Sequence, residues 1–224
     1  MGGQACVLYG AAEFSRDTDL AILSLPDNLV RLQSALDELS AEVIAVPPFK
    51  AEYLERGHAI HFRCAHPEAA GMRIDIMSKM RGVASFDDLW ERRTTMEMDR
   101  DFVEVLSLPD LVTAKKTQRD KDWPMIRRLL EVHYLENRDD PTPQRIQFWL
   151  CELRTAILLR EVAQSFPLAW RECQPHRLVL STLSAEDDAI EAALRSEEDL
   201  ERKSDREYWQ PLRAELEALR HRRS

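Results

Sequence analysis

Polar and apolar positions alternate along the first half of the chain with periods that change from one segment to the next. After Gly2-Gly3 comes a short helical segment reaching Tyr9-Gly10, then an apolar run over 20–23 of strand length, opened by Asp17-Thr18-Asp19. Leu29, Leu32, Leu36 and Leu39 recur at helical spacing, which predicts an amphipathic helix from Pro26 to about Leu39. A short apolar run over 43–46 stops at Pro47-Pro48, and a helical turn over 51–56 ends at Gly57. Residues 58–66 read as a strand, 67–71 as a turn, and 72–77 as a returning strand, an antiparallel hairpin. A short helix over 85–90 precedes two strands, 93–98 and 102–106, joined at Asp99-Arg100-Asp101, which extend the sheet or flank it.

Beyond residue 106 the period becomes helical. Pro109 and Asp110 suit a helix start, and the polar, proline-bearing stretch from Asn137 to Pro143 marks a boundary. Ile146, Trp149, Leu150, Leu153 and Ile157 predict one helix, 185–200 an acidic helix, and Tyr208, Leu212, Leu216 and Leu219 another. Trp149, Trp170 and Trp209 suit core or inter-helix packing, and Arg220-His221-Arg222-Arg223 a solvated tail that complements the last helix dipole. The expected fold is α/β (α+β): a mixed sheet flanked by helices over 1–137, followed by a small all-helical domain over 138–224.

Composition narrows the class. A chain of 224 residues can bury about 70% of its unfolded surface. A net charge of −9 argues against a general nucleic-acid coat and leaves room only for a local basic patch. No apolar segment approaches bilayer-spanning length and no signal-type core is present, so the expected location is the cytoplasm, with no membrane partner. Cys6, Cys64, Cys151 and Cys173 lack C-x-x-C spacing and read as small core thiols. His58, His61, Cys64 and His66 invite a zinc reading, but a strand turns His61 away from the other three. Hairpin packing is the better expectation for them.

The candidate chemistry lies at the beginning. Consecutive glycines let backbone N–H groups converge, and a helix that starts there adds the positive end of its dipole, which suits an anion. Asp17 and Asp19, two apart on a strand, face the same side. Two carboxylates on one face suit hard divalent cations such as Mg²⁺, whose shell is completed by water and phosphate. A third acid, Asp75, stands in the middle of Met72-Arg73-Ile74-Asp75-Ile76-Met77, where burial is costly without a metal, a partner or a proton.

Gly2-Gly3, Tyr9-Gly10, Asp17-x-Asp19 and the distant Asp75, in that order, resemble the nucleotidyltransferase superfamily with the DNA polymerase β-type fold, especially small bacterial antibiotic and toxin-type members. The resemblance covers about residues 2–137. It implies that Gly2 and Gly3 hold NTP phosphates, that Asp17, Asp19 and Asp75 bind two Mg²⁺ ions, and that Asp75 also activates the acceptor hydroxyl. Residues 108–122 resemble the family's Leu-x-x-x-Lys…Arg-x-Lys-Asp element. By that match Lys115 touches the NTP phosphates, Arg119 and Lys121 support it, and Asp122 orients them. Departures are plain: Gln4 stands where many relatives carry serine, and Glu13 where many carry arginine, with Arg16 close enough to compensate. Relatives also place a helix and a strand before the glycine pair, so a core without its first strand is expected.

The resemblance thus implies a metal-dependent enzyme that moves a nucleoside monophosphate from ATP or another NTP to a hydroxyl on a small molecule, tRNA or protein, releasing pyrophosphate. The rival expectation is a weakly active or inactive nucleotidyltransferase-like binding module of a toxin–antitoxin pair, whose helical domain meets a partner protein. A purely structural helical scaffold is a third, which leaves Asp75 unexplained.

Overall fold

The sequence folds, in a computed structural model, into two units described over residues 1–98 and 101–223. Met1–Ala114 joins Glu207–Ser224 in the first, and Lys115–Arg206 forms the second. The stretch from Asn137 to Pro143 lies inside the second unit as a connection between two of its helices.

The first unit opens with α1 (Gly2–Leu8), β1 (Asp17–Ala21), α2 (Pro26–Glu38), β2 (Ala41–Val43), α3 (Ala51–Arg56), β3 (Ile60–Cys64) and β4 (Arg73–Met77). The four strands make a mixed sheet in the order β1-β4-β3-β2, with β1 parallel to β4 and the remaining pairs antiparallel. The chain is therefore α+β. Strand alternation divides the sheet into two faces. Ile60, Phe62, Cys64, Ile74 and Ile76 point to one, where they bury against Leu36 of α2 and Tyr53 and Leu54 of α3. Full burial of each large apolar side chain contributes roughly 1.5–3 kcal/mol. The opposite face is left for polar residues. Gly57 closes α3 in the left-handed region at φ +97°, as an L residue would do only with strain.

The unit continues through α4 (Phe86–Arg92), β5 (Thr94–Met98), β6 (Asp101–Val105) and α5 (Leu108–Lys115). Ser85 caps α4 by accepting from the Asp88 N–H. β5 and β6 pair with each other in a separate two-stranded sheet rather than extending the main one. Of the turn expected between them, Asp99 and Arg100 lie outside the described residues. Arg92 forks onto Asp110 at 3.1 and 2.8 Å and ties α4 to α5.

The second unit is helical: α6 (Asp122–Asn137), α7 (Pro143–Glu152), α8 (Ala156–Ser165), α9 (Pro167–Cys173) and the first part of α10 (Asp187–Arg223). Two expectations change here. The single helix expected through Ile157 is broken after Glu152, because Arg177 donates at 2.8 Å to each of the Leu150 and Leu153 carbonyls and satisfies that helix end from far along the chain. The two helices expected between 185 and 219 are one, since no glycine interrupts them and Pro211 removes a single backbone donor without ending α10. Trp149 is fully buried, in an edge-to-face contact with Tyr134. Among the described residues no helix is long and apolar enough to cross a membrane.

Candidate active site

Sheet register assembles the polar face of the first unit. Asp17 stands opposite Arg73, and Asp19 opposite Asp75, on the parallel strands β1 and β4. On the other side of β4, His61 stands opposite Asp75 and Arg63 opposite Arg73. Partners in register share a face, so Asp19, Asp75 and His61 form one cross-strand row, with Asp17 and Arg73 in the next.

α1 lies against the end of this row. The Gly3 N–H donates to Asp19 Oδ2 at 3.2 Å, and Gln4 Nε2 donates to the Ser15 carbonyl at 3.2 Å. Gly2 adopts φ +69°, and a Cβ there would fall 1.9 Å from Asp19 Oδ2 and 2.6 Å from Asp19 Cβ. A Cβ on Gly3 would meet Ser15 Oγ at 2.3 Å. Gly2 is thus required by the closeness of α1 to β1, whereas the Gly3 contact is with a serine side chain ahead of the strand. The Gly3 N–H already serves a carboxylate.

Asp75, with a side chain 14% exposed, is held on three sides. Arg73 Nε donates to Oδ1 at 2.8 Å and Arg73 Nη2 to Oδ2 at 3.0 Å, while His61 Nδ1 lies 2.8 Å from Oδ1. Arg73 Nη2 also lies 3.1 Å from His61 Nδ1. That nitrogen can either donate to the carboxylate or accept from the guanidinium, and the shorter contact puts its proton toward Asp75. Burial pushes the Asp75 pKa up, but hydrogen bonds and charge from His61 and Arg73 outweigh it and hold the carboxyl below its ordinary range. The Arg73 pKa is raised, first by its bond to Asp75 and further by the charges of Asp75, Asp17 and Asp19. One guanidinium therefore sits in the combined field of all three acids.

This decides how the residues fit a metal. Among the described residues no group of three or more His, Cys, Asp or Glu is gathered to hold an ion. The donor set nevertheless has the right chemistry, since carboxylates on a shared, partly open face already attract a cation, here the Arg73 side chain. A divalent ion would bind by displacing Arg73, whose side chain is 38% exposed and has room to turn.

The second unit gathers the other expected residues around Asp122, whose side chain is 3% exposed. Lys115 Nζ donates to Asp122 Oδ1 at 3.3 Å, and Arg119 Nε and Thr117 Oγ1 donate to Oδ2 at 2.7 and 2.6 Å. Burial raises the Asp122 pKa, yet Lys115, Thr117 and Arg119 together bring it below its ordinary value. Lys121, by contrast, is exposed and precedes α6 as its N-cap without a capping side-chain bond. Asp17, Asp19, Asp75, Gly2 and Gly3 are thus brought together in the first unit, and Lys115 and Arg119 in the second.

Sequence reasoning missed the partnership of Arg73 and His61 with Asp75. The signal for Arg73 was its place two residues before Asp75 on the same strand; that for His61 was hairpin register. No protein-family model, curated protein or solved structure matches the chain.

Proposed function

We propose that this chain is a nucleotidyltransferase that moves a nucleoside monophosphate from an NTP to an acceptor hydroxyl and releases pyrophosphate. The observation that supports it most is the β1–β4 register, with Asp17, Asp19 and Asp75 on one face against the Gly2-Gly3 helix start. Asp17, Asp19 and Asp75 would hold two Mg²⁺ ions, which neutralise charge on the phosphates and make the acceptor hydroxyl easier to ionise. Asp75 is the residue to take the acceptor proton, and His61 steadies its carboxylate. Lys115, Arg119 and Lys121 are the residues for phosphate oxygens by the family resemblance alone; within the second unit Asp122 holds the first two. The acceptor hydroxyl belongs to a small molecule, a tRNA end or a protein.

A second reading is favoured by Arg73. Its fork on Asp75 neutralises the carboxylate that the chemistry needs, which suits a weakly active or inactive nucleotidyltransferase-like module of a toxin–antitoxin pair. Calorimetric titration of ATP, GTP, CTP and UTP with Mg²⁺ separates the two. Metal-dependent binding to the wild type, lost in Asp17→Asn/Asp19→Asn, is the expected result. Binding that emerges only in Arg73→Gln would favour the inactive module, and none in either folded protein would falsify the enzyme reading.

A further inference from the structure

The second unit contains a cleft of about 430 Å³ that the nucleotidyltransferase reading does not use. Its walls are α6 and the first part of α10, and its lining includes Arg127, Arg128, Arg154, Arg195 and Arg202 beside Trp123. The volume falls within the roughly 300–1,000 Å³ of small-ligand sites. Five arginines along one cleft are unexpected in a chain of net charge −9. Their number calls for an account.

Of the three carboxylates that share the lining, two are matched by an arginine and the third, Glu131, is held by a hydroxyl, so the five arginines outnumber them. Asp120 and Glu198 both accept from Arg202, at 2.6 Å each, and Glu131 accepts from the Thr155 hydroxyl. Other arginines retain donors. Arg195 makes no ion pair among the described residues, and Arg127 reaches Glu191 only at 3.5 Å. Both are exposed on the cleft walls. Arg154 lies deeper, with a side chain 6% exposed; its Nη1 donates to Glu197 at 2.9 Å, whereas its buried Nε has no hydrogen-bond partner. Buried Trp123 holds the lower part in place, its ring 5.3 Å from the Arg154 guanidinium and 5.5 Å from that of Arg202.

Spare guanidinium donors on two facing walls, above a buried arginine with an orphan N–H, match one compact group of high negative charge. Arginine forks meet phosphate oxygens in pairs, and a cleft with walls of low polarizability strengthens each contact. A net charge of −9 disfavours a long polyanion, which draws its affinity from many cations along an extended surface. We propose that this cleft is a binding site for a small phosphate-bearing ligand, held by Arg127 and Arg195 at its walls and Arg154 at its base.

The test is calorimetric titration of inorganic phosphate and pyrophosphate into the full chain at fixed ionic strength, with EDTA present so that no divalent ion acts at the aspartates. The expected result is saturable binding of one anion per chain, weakened about tenfold or more in Arg127→Gln/Arg195→Gln. Arg195→Gln alone is a second variant, which removes one exposed cation that makes no ion pair among the described residues and adds no further carboxylate to an acidic helix. Binding should persist in Asp17→Asn/Asp19→Asn, which separates this site from the proposed catalytic one. Absence of saturable binding to the folded wild type, or equal binding by the folded arginine variants, overturns the proposal.

Discussion

Asp75 is a half-buried acid kept ionised by two neighbours, and that arrangement makes its charge measurable as stability. Its folded pKa is depressed, so its contribution is present above the ordinary aspartate value of about 3.9 and is lost as pH falls through the folded value. Asp75→Asn should cost roughly 1–2 kcal/mol near neutral pH, discounted because Arg73 is partly exposed. The gap between variant and wild type should close on acidification, and urea denaturation at stepped pH reads it; a gap independent of pH contradicts the assignment. Gly2→Ala is sharper, since its Cβ would collide with Asp19 near the backbone, whereas the Gly3→Ala collision is with a serine hydroxyl that can rotate. Thermal unfolding should therefore show a larger loss for Gly2→Ala, about 1–3 kcal/mol, and equal losses would count against the close approach. The shared face of Asp17 and Asp19 was legible in the sequence because a period of two is enough to place them together, and the same period puts Arg73 beside Asp75. His61 was not, because it meets Asp75 only after the turn over 67–71 has set the register between strands.

Elements show the same division between local and distant causes. The hairpin of β3 and β4, the α2 stripe and the glycine stop of α3 follow from residues within a few positions of each other. The end of α7 does not, since its carbonyls are satisfied by Arg177, which also binds Glu197 of α10 through Nε and Nη2. Nothing near Leu153 in sequence announces this. Removing one member of such a buried cluster leaves the other charges unmatched, so Arg177→Met should cost about 3–5 kcal/mol, while Arg177→Met/Glu197→Leu should cost less than the sum of the two single losses without restoring wild-type stability, since Glu197 also accepts from buried Arg154. A double-mutant cycle in urea measures the coupling, and strictly additive losses would remove Arg177 from its role as an ionic cap.

At the scale of the molecule, the first unit is discontinuous: Glu207–Ser224 returns to it after the whole second unit has intervened. Leu212 is buried there, Leu219 packs on the core of the sheet, and Glu215 meets His58 at 2.7 Å and Arg56 at 2.8 Å. Sequence spacing showed that Leu212 and Leu219 share a stripe, but a stripe does not name the surface it will cover. Leu212→Ala/Leu219→Ala should therefore cost the first unit roughly 2–5 kcal/mol. Hydrogen exchange should speed up in β3 and β4 and leave α6 to α8 protected; uniform loss across both units would refute the assignment.

The late return of residues 207–224 also has a consequence during synthesis. A ribosome moving at about 5–20 residues per second needs on the order of ten seconds to traverse 115–206. For that interval the sheet is complete in strands but not in cover, and its apolar margin remains available to chaperones or to other nascent chains. Full burial becomes available only once residues 207–224 have left the ribosome, so a sheet whose last strand ends at Met77 waits for a segment that begins at Glu207.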